Sequence, residues 1–197
     1  MTHHFEFYRS DPRAGFRTSL AAAFSGAHAF SDVAAQRFRW SGEALWNIRN
    51  YDPPLFVIAV RGAAATTVTG ETLEPSTGIP PLFRQYLGGS DNLRGFGRLE
   101  LPGPLGGLSS AFASLELRFA AGLALGIQPI VFTDLGAFGV RPMEIESTLY
   151  WSPGFGVRWT SPVGVLRASL AHGYVTEGGV DPALTHLQFD LSLGEEF

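Results

Sequence analysis

The 197-residue chain contains no cysteine, which removes disulfides and thiolate metal sites from consideration and is compatible with any compartment. It is also short of charge: Asp, Glu, Lys and Arg make up 16% of it, against about a quarter in an average soluble domain. Its net charge is −4, so nothing points to nucleic acid as a partner. Long hydrophobic runs are missing too. Stretches such as SLAAAF, residues 19–24, fall far short of the roughly 18 residues a spanning helix needs. The start, MTHHFEFYRSDPRAGF, is polar almost throughout and lacks a charged-then-apolar leader pattern, so any export leader would lie outside this sequence.

Aromatics, at 13%, and 24 glycines are what the chain does have, and its length suffices for one domain with a sizeable interior. The apolar residues are arranged with a period of two. Leu187, Phe189, Leu191 and Leu193 alternate with Gln188, Asp190, Ser192 and Gly194. Phe38, Trp40, Ala44, Trp46 and Ile48 oppose Arg37, Arg39, Ser41, Glu43 and Asn47. Leu115, Leu117 and Phe119 oppose Ser114, Glu116 and Arg118, and Phe155, Val157 and Trp159 oppose Gly156, Arg158 and Thr160. Leu166, Ala168, Leu170 and Tyr174 oppose Arg167, Ser169 and Gly173.

Eight such segments are expected, at about 14–26, 35–48, 55–68, 110–120, 123–138, 148–160, 163–175 and 184–197. Longer connections, 27–34, 69–109, 139–147 and 176–183, alternate with shorter ones, as in an antiparallel up-and-down meander. A two-faced strand suits a soluble sandwich, with its apolar face inward, or an outer-membrane barrel, with its apolar face on lipid. Length separates the two. Soluble strands average about five or six residues and membrane strands about 9–11, and these segments reach the longer class. Trp46, Tyr150, Trp151, Trp159, Tyr174 and Phe197 lie towards segment ends, where aromatic girdles form. The expected fold is therefore an all-β, antiparallel transmembrane β-barrel domain over residues 1–197, eight strands per chain, with one long loop between strands 3 and 4.

Within that loop, YLGGSDNLRGFG resembles the sixth-loop motif of the BamA/TamA/FhaC superfamily, the outer-membrane assembly and secretion barrels also called bacterial surface antigens. The matching residues are Gly88, Gly89, Leu93, Arg94, Gly95 and Phe96. Other family signatures are matched by Phe132, Asp134 and Gly136, and by Ser114, Glu116 and Arg118. The stretch GFGVRWTSPVGVLRASLA resembles the family's penultimate hairpin, and DPRAGFR one of its strand openings. The terminal Phe197 resembles the C-terminal signal of bacterial outer-membrane barrels. The resemblance runs in order from about Asp11 to Phe197.

It implies an outer-membrane location in a Gram-negative-type bacterium and a role in inserting barrels or passing a polypeptide. Lipid, and possible client chains, would be its partners. With the loop folded into the lumen, Arg94 is expected to contact Asp134, Glu116 or both, since an enclosed guanidinium or carboxylate without a partner is costly. An even strand count would put both termini on the periplasmic side.

The departures from the family matter equally. Members usually have sixteen strands behind periplasmic POTRA domains, whereas eight segments are present here. Only about thirteen residues precede the first, so no POTRA domain is expected in this sequence. Because an eight-strand barrel is filled by its own side chains, the loop should not fit inside one. Three arrangements stay open: an eight-strand barrel with the loop outside, a homodimer sharing one sixteen-strand barrel, or a fragment of a longer barrel. The inward charges and the retained motif favour a second copy as partner. No nucleophile motif, acid dyad or metal-spaced histidine set stands out among His3, His4, His28, His172 and His186, so neither catalysis nor a cofactor is expected. A passive pore or membrane anchor remains the alternative function.

Overall fold

A computed structural model of the protein describes residues 14–26, 34–50, 54–69, 79–120, 126–161, 164–176 and 187–193. The strands are β1 (Gly15–Ser25), β2 (Ala35–Asn47), β3 (Phe56–Thr69), β4 (Ser109–Phe119), β5 (Ile127–Gly139), β6 (Tyr150–Ser161), β7 (Gly164–His172), β8 (Tyr174–Val175) and β9 (Leu187–Leu193). They form one antiparallel sheet in the order β1-β2-β3-β4-β5-β6-β7-β9, with β1 to β7 each beside its neighbour in sequence, β9 beside β7, and the short β8 beside β6. Most strands span 9 to 14 residues, the lengths of membrane-crossing rather than soluble strands. Phe197 and the four histidines other than His172 lie outside the described residues.

The two faces of the sheet have exchanged the roles seen in a soluble protein. Large apolar side chains point outward and lie bare: Leu20 is 80% exposed and Phe189 63%. Charged side chains of the opposite parity, among them Glu116, Arg118, Asp134 and Arg158, are at most 1% exposed. In water this distribution would lose the burial of nearly every outward side chain. It suits a wall with lipid on one face and a polar interior on the other. Trp151 and Trp159, both on β6 and both outward, stand eight residues apart, roughly 26 Å along a strand and comparable to the apolar band of such a wall.

Three expectations need correction. The wall is not closed: among the described residues β1 and β9 pair with one neighbour each, so an independent eight-strand barrel is not what forms. Tyr150 is not a girdle residue. It shares the parity of Ser152 and Gly154, faces inward, and packs edge-on against Phe96 and Phe138 at 5.8 and 5.7 Å between ring centroids. The segment expected to run unbroken over 163–175 is split, because the β6–β7 ladder stops at Gly154–Ala171 and resumes in the same register at Trp151–Tyr174. Pro153, inside the gap, has no N–H to donate, and Gly173, in line with Ser152 in that register, is covered by the loop.

The connection between β3 and β4, expected as one long loop over 69–109, is described over 79–108. It doubles back on itself through paired backbone bonds between Gln85 and Gly107 (2.7 and 2.9 Å) and between Leu87 and Leu101 (3.0 and 3.1 Å). Thr67 of β3 ties its base down, donating to the Phe83 carbonyl at 2.6 Å and accepting from Gln85 at 3.0 Å. This folded arm lies on the inner face of the sheet. The open wall thus resolves the steric conflict of a long loop in a narrow barrel.

Candidate functional site

The arm ends in a tight knot, residues 88–97. Gly88 and Gly89 turn the chain with φ of 111° and 100°, a region that strains residues with a side chain. At Gly88 a Cβ would also meet the Gly97 carbonyl at 2.1 Å. Asn92 holds the turn from inside, its Oδ1 accepting from the backbone N–H of Gly88 (2.6 Å) and of Leu93 (2.7 Å). The knot thereby presents Leu93, Arg94, Gly95 and Phe96 towards the sheet.

The sheet register prepares the receiving surface. Ser114, Asp134 and Ser152 are direct partners across β4, β5 and β6, and Glu116, Phe132 and Gly154 form the next row. The two strand motifs, separate in sequence, therefore make one patch. Gly154 is required by the ring beside it, since a Cβ there would sit 2.4 Å from Cζ of Phe132.

Arg94 is 0% exposed and uses its whole fork on this patch. Its Nε and Nη2 donate to the two oxygens of Asp134 at 2.9 and 2.7 Å, and Nη1 donates to Glu116 at 2.7 Å. Nη2 also reaches Ser114 Oγ at 3.1 Å, while that hydroxyl donates to Asp134 at 2.6 Å. The guanidinium carbon lies 3.3 Å from the centre of the Phe132 ring, a cation–π contact shielded from water. Arg94 thus contacts both Asp134 and Glu116. Burial alone would favour the neutral guanidine, but hydrogen bonding and attraction from Asp134 and Glu116 outweigh it and hold the Arg94 pKa above the ordinary arginine value.

Glu116 serves more than one cation. Its other oxygen accepts from Arg118 Nε at 3.0 Å and from Arg167 Nη2 at 3.3 Å, so a single carboxylate joins the arm to β4 and β7. Arg158 donates to Gln128 at 2.9 Å on the same face. The inclusion of Arg167 was not anticipated, although its parity already placed it on the polar face.

Beside the charges lies an apolar seat. Leu87, Leu93, Phe96 and Leu101 of the arm form a buried cluster with Phe138, and Phe112, Tyr150 and Val175 pack around it. Gly136 is its floor: a Cβ there would come within 2.6 Å of Leu93 Cδ1 and 2.9 Å of Leu87 Cδ1. Both obstacles are ends of flexible side chains. Gly136→Ala is therefore expected to cost about 1–2 kcal/mol of arm docking, as overpacking does, read as a lowered midpoint for unfolding in denaturant. An unchanged midpoint would mean that the arm does not press on this floor. Gly95 completes the contact, its N–H donating to Ser152 Oγ at 2.5 Å. Among the described residues no group of His, Asp and Glu is placed to hold a metal ion. Chemically, the arrangement is a docking site for the chain's own arm.

A long-stranded antiparallel wall with lipid-type and lumen-type faces, and an arm seated on the lumen side, defines an outer-membrane-type barrel sheet. Residues 8–197 match the Omp85 superfamily domain, and the chain belongs to that superfamily. It is 31% identical over 138 residues to "Outer membrane protein assembly factor BamA" of Nitratidesulfovibrio vulgaris (strain Hildenborough), covering 65% of this chain and 17% of that protein. It superposes on the crystal structure of BamA from Haemophilus ducreyi lacking POTRA domains 1-3 with a TM-score of 0.71 at 18% identity, over 96% of this chain and 40% of that one. The chain thus spans less than half the length of either relative.

Proposed function

We propose that this chain forms part of an outer-membrane barrel that assists the insertion of outer-membrane proteins or the passage of a polypeptide, with both ends on the periplasmic side. The observation that carries the reading is the arm seated by Arg94 on Asp134 and Glu116 inside a wall of Omp85 type. A buried ionic cluster adds little net stability but is costly to leave half-made. It therefore acts as a registration device, satisfied only when the arm sits correctly on β4, β5 and β6.

The open edges set the rest of the mechanism. Backbone N–H and C=O groups on β1 and β9 need partners in lipid. We infer that the wall is completed by a second half, either another copy giving sixteen strands or further strands of a longer chain. The seam between that half and β1 or β9 offers an unpaired strand edge to a client by β-augmentation. Native mass spectrometry in detergent tests the two-copy form, with a dimer mass expected and a monomer alone refuting it. Proteoliposomes test the activity. An unfolded client barrel protein should fold several-fold faster with the full chain than in empty vesicles. Conductance without acceleration would instead favour a passive pore, the reading that the polar inner face supports by itself.

A further inference from the structure

A half-open pocket lies on the inner face, away from the Arg94 cluster, between the first three strands and the arm. It has a volume of about 450 Å³. Its floor exists because the inward residues there are small, Ser19, Ser41, Ala63 and Ala65, with the backbone of Gly42 and Gly62 between them. The walls are cationic. Arg17, Arg37, Arg39, Arg61 and Arg84 line it, against the carboxylates of Glu43 and Asp91.

The register explains the convergence. Arg17, Glu43 and Arg61 are successive partners across β1, β2 and β3 and share one row. Arg39 has Ala21 on one side and Ala65 on the other, so its head stands over a low floor. Arg37 lies two residues away on the same face, roughly 7 Å along the strand, and like charges this close repel. The arm fixes two of the heads. Arg37 Nη1 donates to the Leu82 carbonyl at 3.0 Å, and Arg84 donates to the carbonyls of Ile79 and Leu105 at 3.0 and 3.1 Å. Carbonyl oxygens orient a guanidinium without neutralising it. The walls therefore hold a formal excess of three positive charges, five arginines against two carboxylates, in a space the size of a small-molecule site.

The geometry points to a binding site for a multivalent phosphate, either a soluble di- or triphosphate or the phosphate monoester headgroup of a lipid. Guanidinium forks match phosphate oxygens in shape and charge, and a pocket with low-dielectric walls concentrates such anions. The site needs the arm in its docked position, because arm residues form one wall, but it does not rest on the assembly role.

Calorimetric titration of the full chain in zwitterionic detergent with tripolyphosphate, at physiological ionic strength, tests it. Saturable binding at one site is expected. Arg39→Gln should weaken it at least tenfold, while Arg141→Gln, which removes the same charge from a side chain 75% exposed on another turn, should leave it unchanged. Arg37→Gln provides a second cavity variant, and retained protease resistance of the arm shows that either variant is folded. Absence of saturable binding, or equal weakening by Arg141→Gln, overturns the site. Reconstitution into phosphatidylcholine vesicles with and without phosphatidic acid separates the sources. If phosphatidic acid competes with tripolyphosphate the ligand is a lipid headgroup, and if it does not the ligand is soluble.

Discussion

Arg94→Ala releases the arm from the wall. Removing one partner of a buried ion pair leaves the other charge without compensation and costs about 3–5 kcal/mol. Asp134, 0% exposed, would lose both of its guanidinium bonds, and Phe132 would lose the cation above its ring. Glu116 would keep Arg118 and Arg167. The damage should therefore concentrate at Asp134. The measurement is cleavage by a broad-specificity protease within residues 79–108, expected to be at least a hundredfold faster in the variant while the strands resist.

Arg94→Lys should recover only part of the loss. An ammonium is a point charge and cannot span both Asp134 oxygens and Glu116 at once. The double variant Arg94→Ala/Asp134→Ala should be less damaged than the two single losses predict, because no carboxylate remains stranded at that position. A simple sum of the single effects would show that the 2.9 and 2.7 Å bonds carry no coupling energy, and would remove the registration role.

The wall was legible in the sequence because a strand's period of two is insensitive to its surroundings. Leu187, Phe189 and Leu191 face out because Gln188, Asp190 and Ser192 face in, whatever lies inside. The same counting put Ser114, Glu116, Asp134 and Gly136 on the inner face, and the resemblance of GGSDNLRGFG supplied the arm that meets them. Tyr150 could have been placed by that rule, since it shares the parity of Ser152. Its position near a strand end suggested a girdle instead.

The break at Gly173 was not legible. It depends on where Gly95 and Phe96 come to rest, a contact between residues far apart in the chain. The doubling of the arm onto itself was hidden likewise, because two isolated bridges leave no alternation to read. Openness of the sheet is a relation between β1 and β9 and has no local sequence signal. The arginine-lined cavity needed the register, which alone places Arg39 over Ala21 and Ala65.

Gly95→Ala tests the arm from the steric side and should be nearly as damaging as the loss of Arg94. A Cβ at this position would lie 2.5 Å from Ser152 Oγ, 2.6 Å from the Gly173 nitrogen and 2.7 Å from the His172 carbonyl carbon. Two of these three obstacles are backbone of the wall, which cannot rotate away. At Gly136, by contrast, the obstacles are leucine methyls, and the expected effect is correspondingly smaller. The knot must lift, lengthening the Arg94 bonds to Asp134 and breaking the one from Gly95 N–H to Ser152. A loss of about 3 kcal/mol is expected, the upper range for overpacking, seen as protease sensitivity within 79–108. Ser152→Ala distinguishes the causes. By itself it removes one hydrogen bond and should cost only about 1–2 kcal/mol. Combined with Gly95→Ala it should rescue little, because the Gly173 and His172 backbone still blocks the methyl. Full rescue by Ser152→Ala would mean that the hydroxyl is the sole obstacle and that the arm does not rest on the backbone at Gly173.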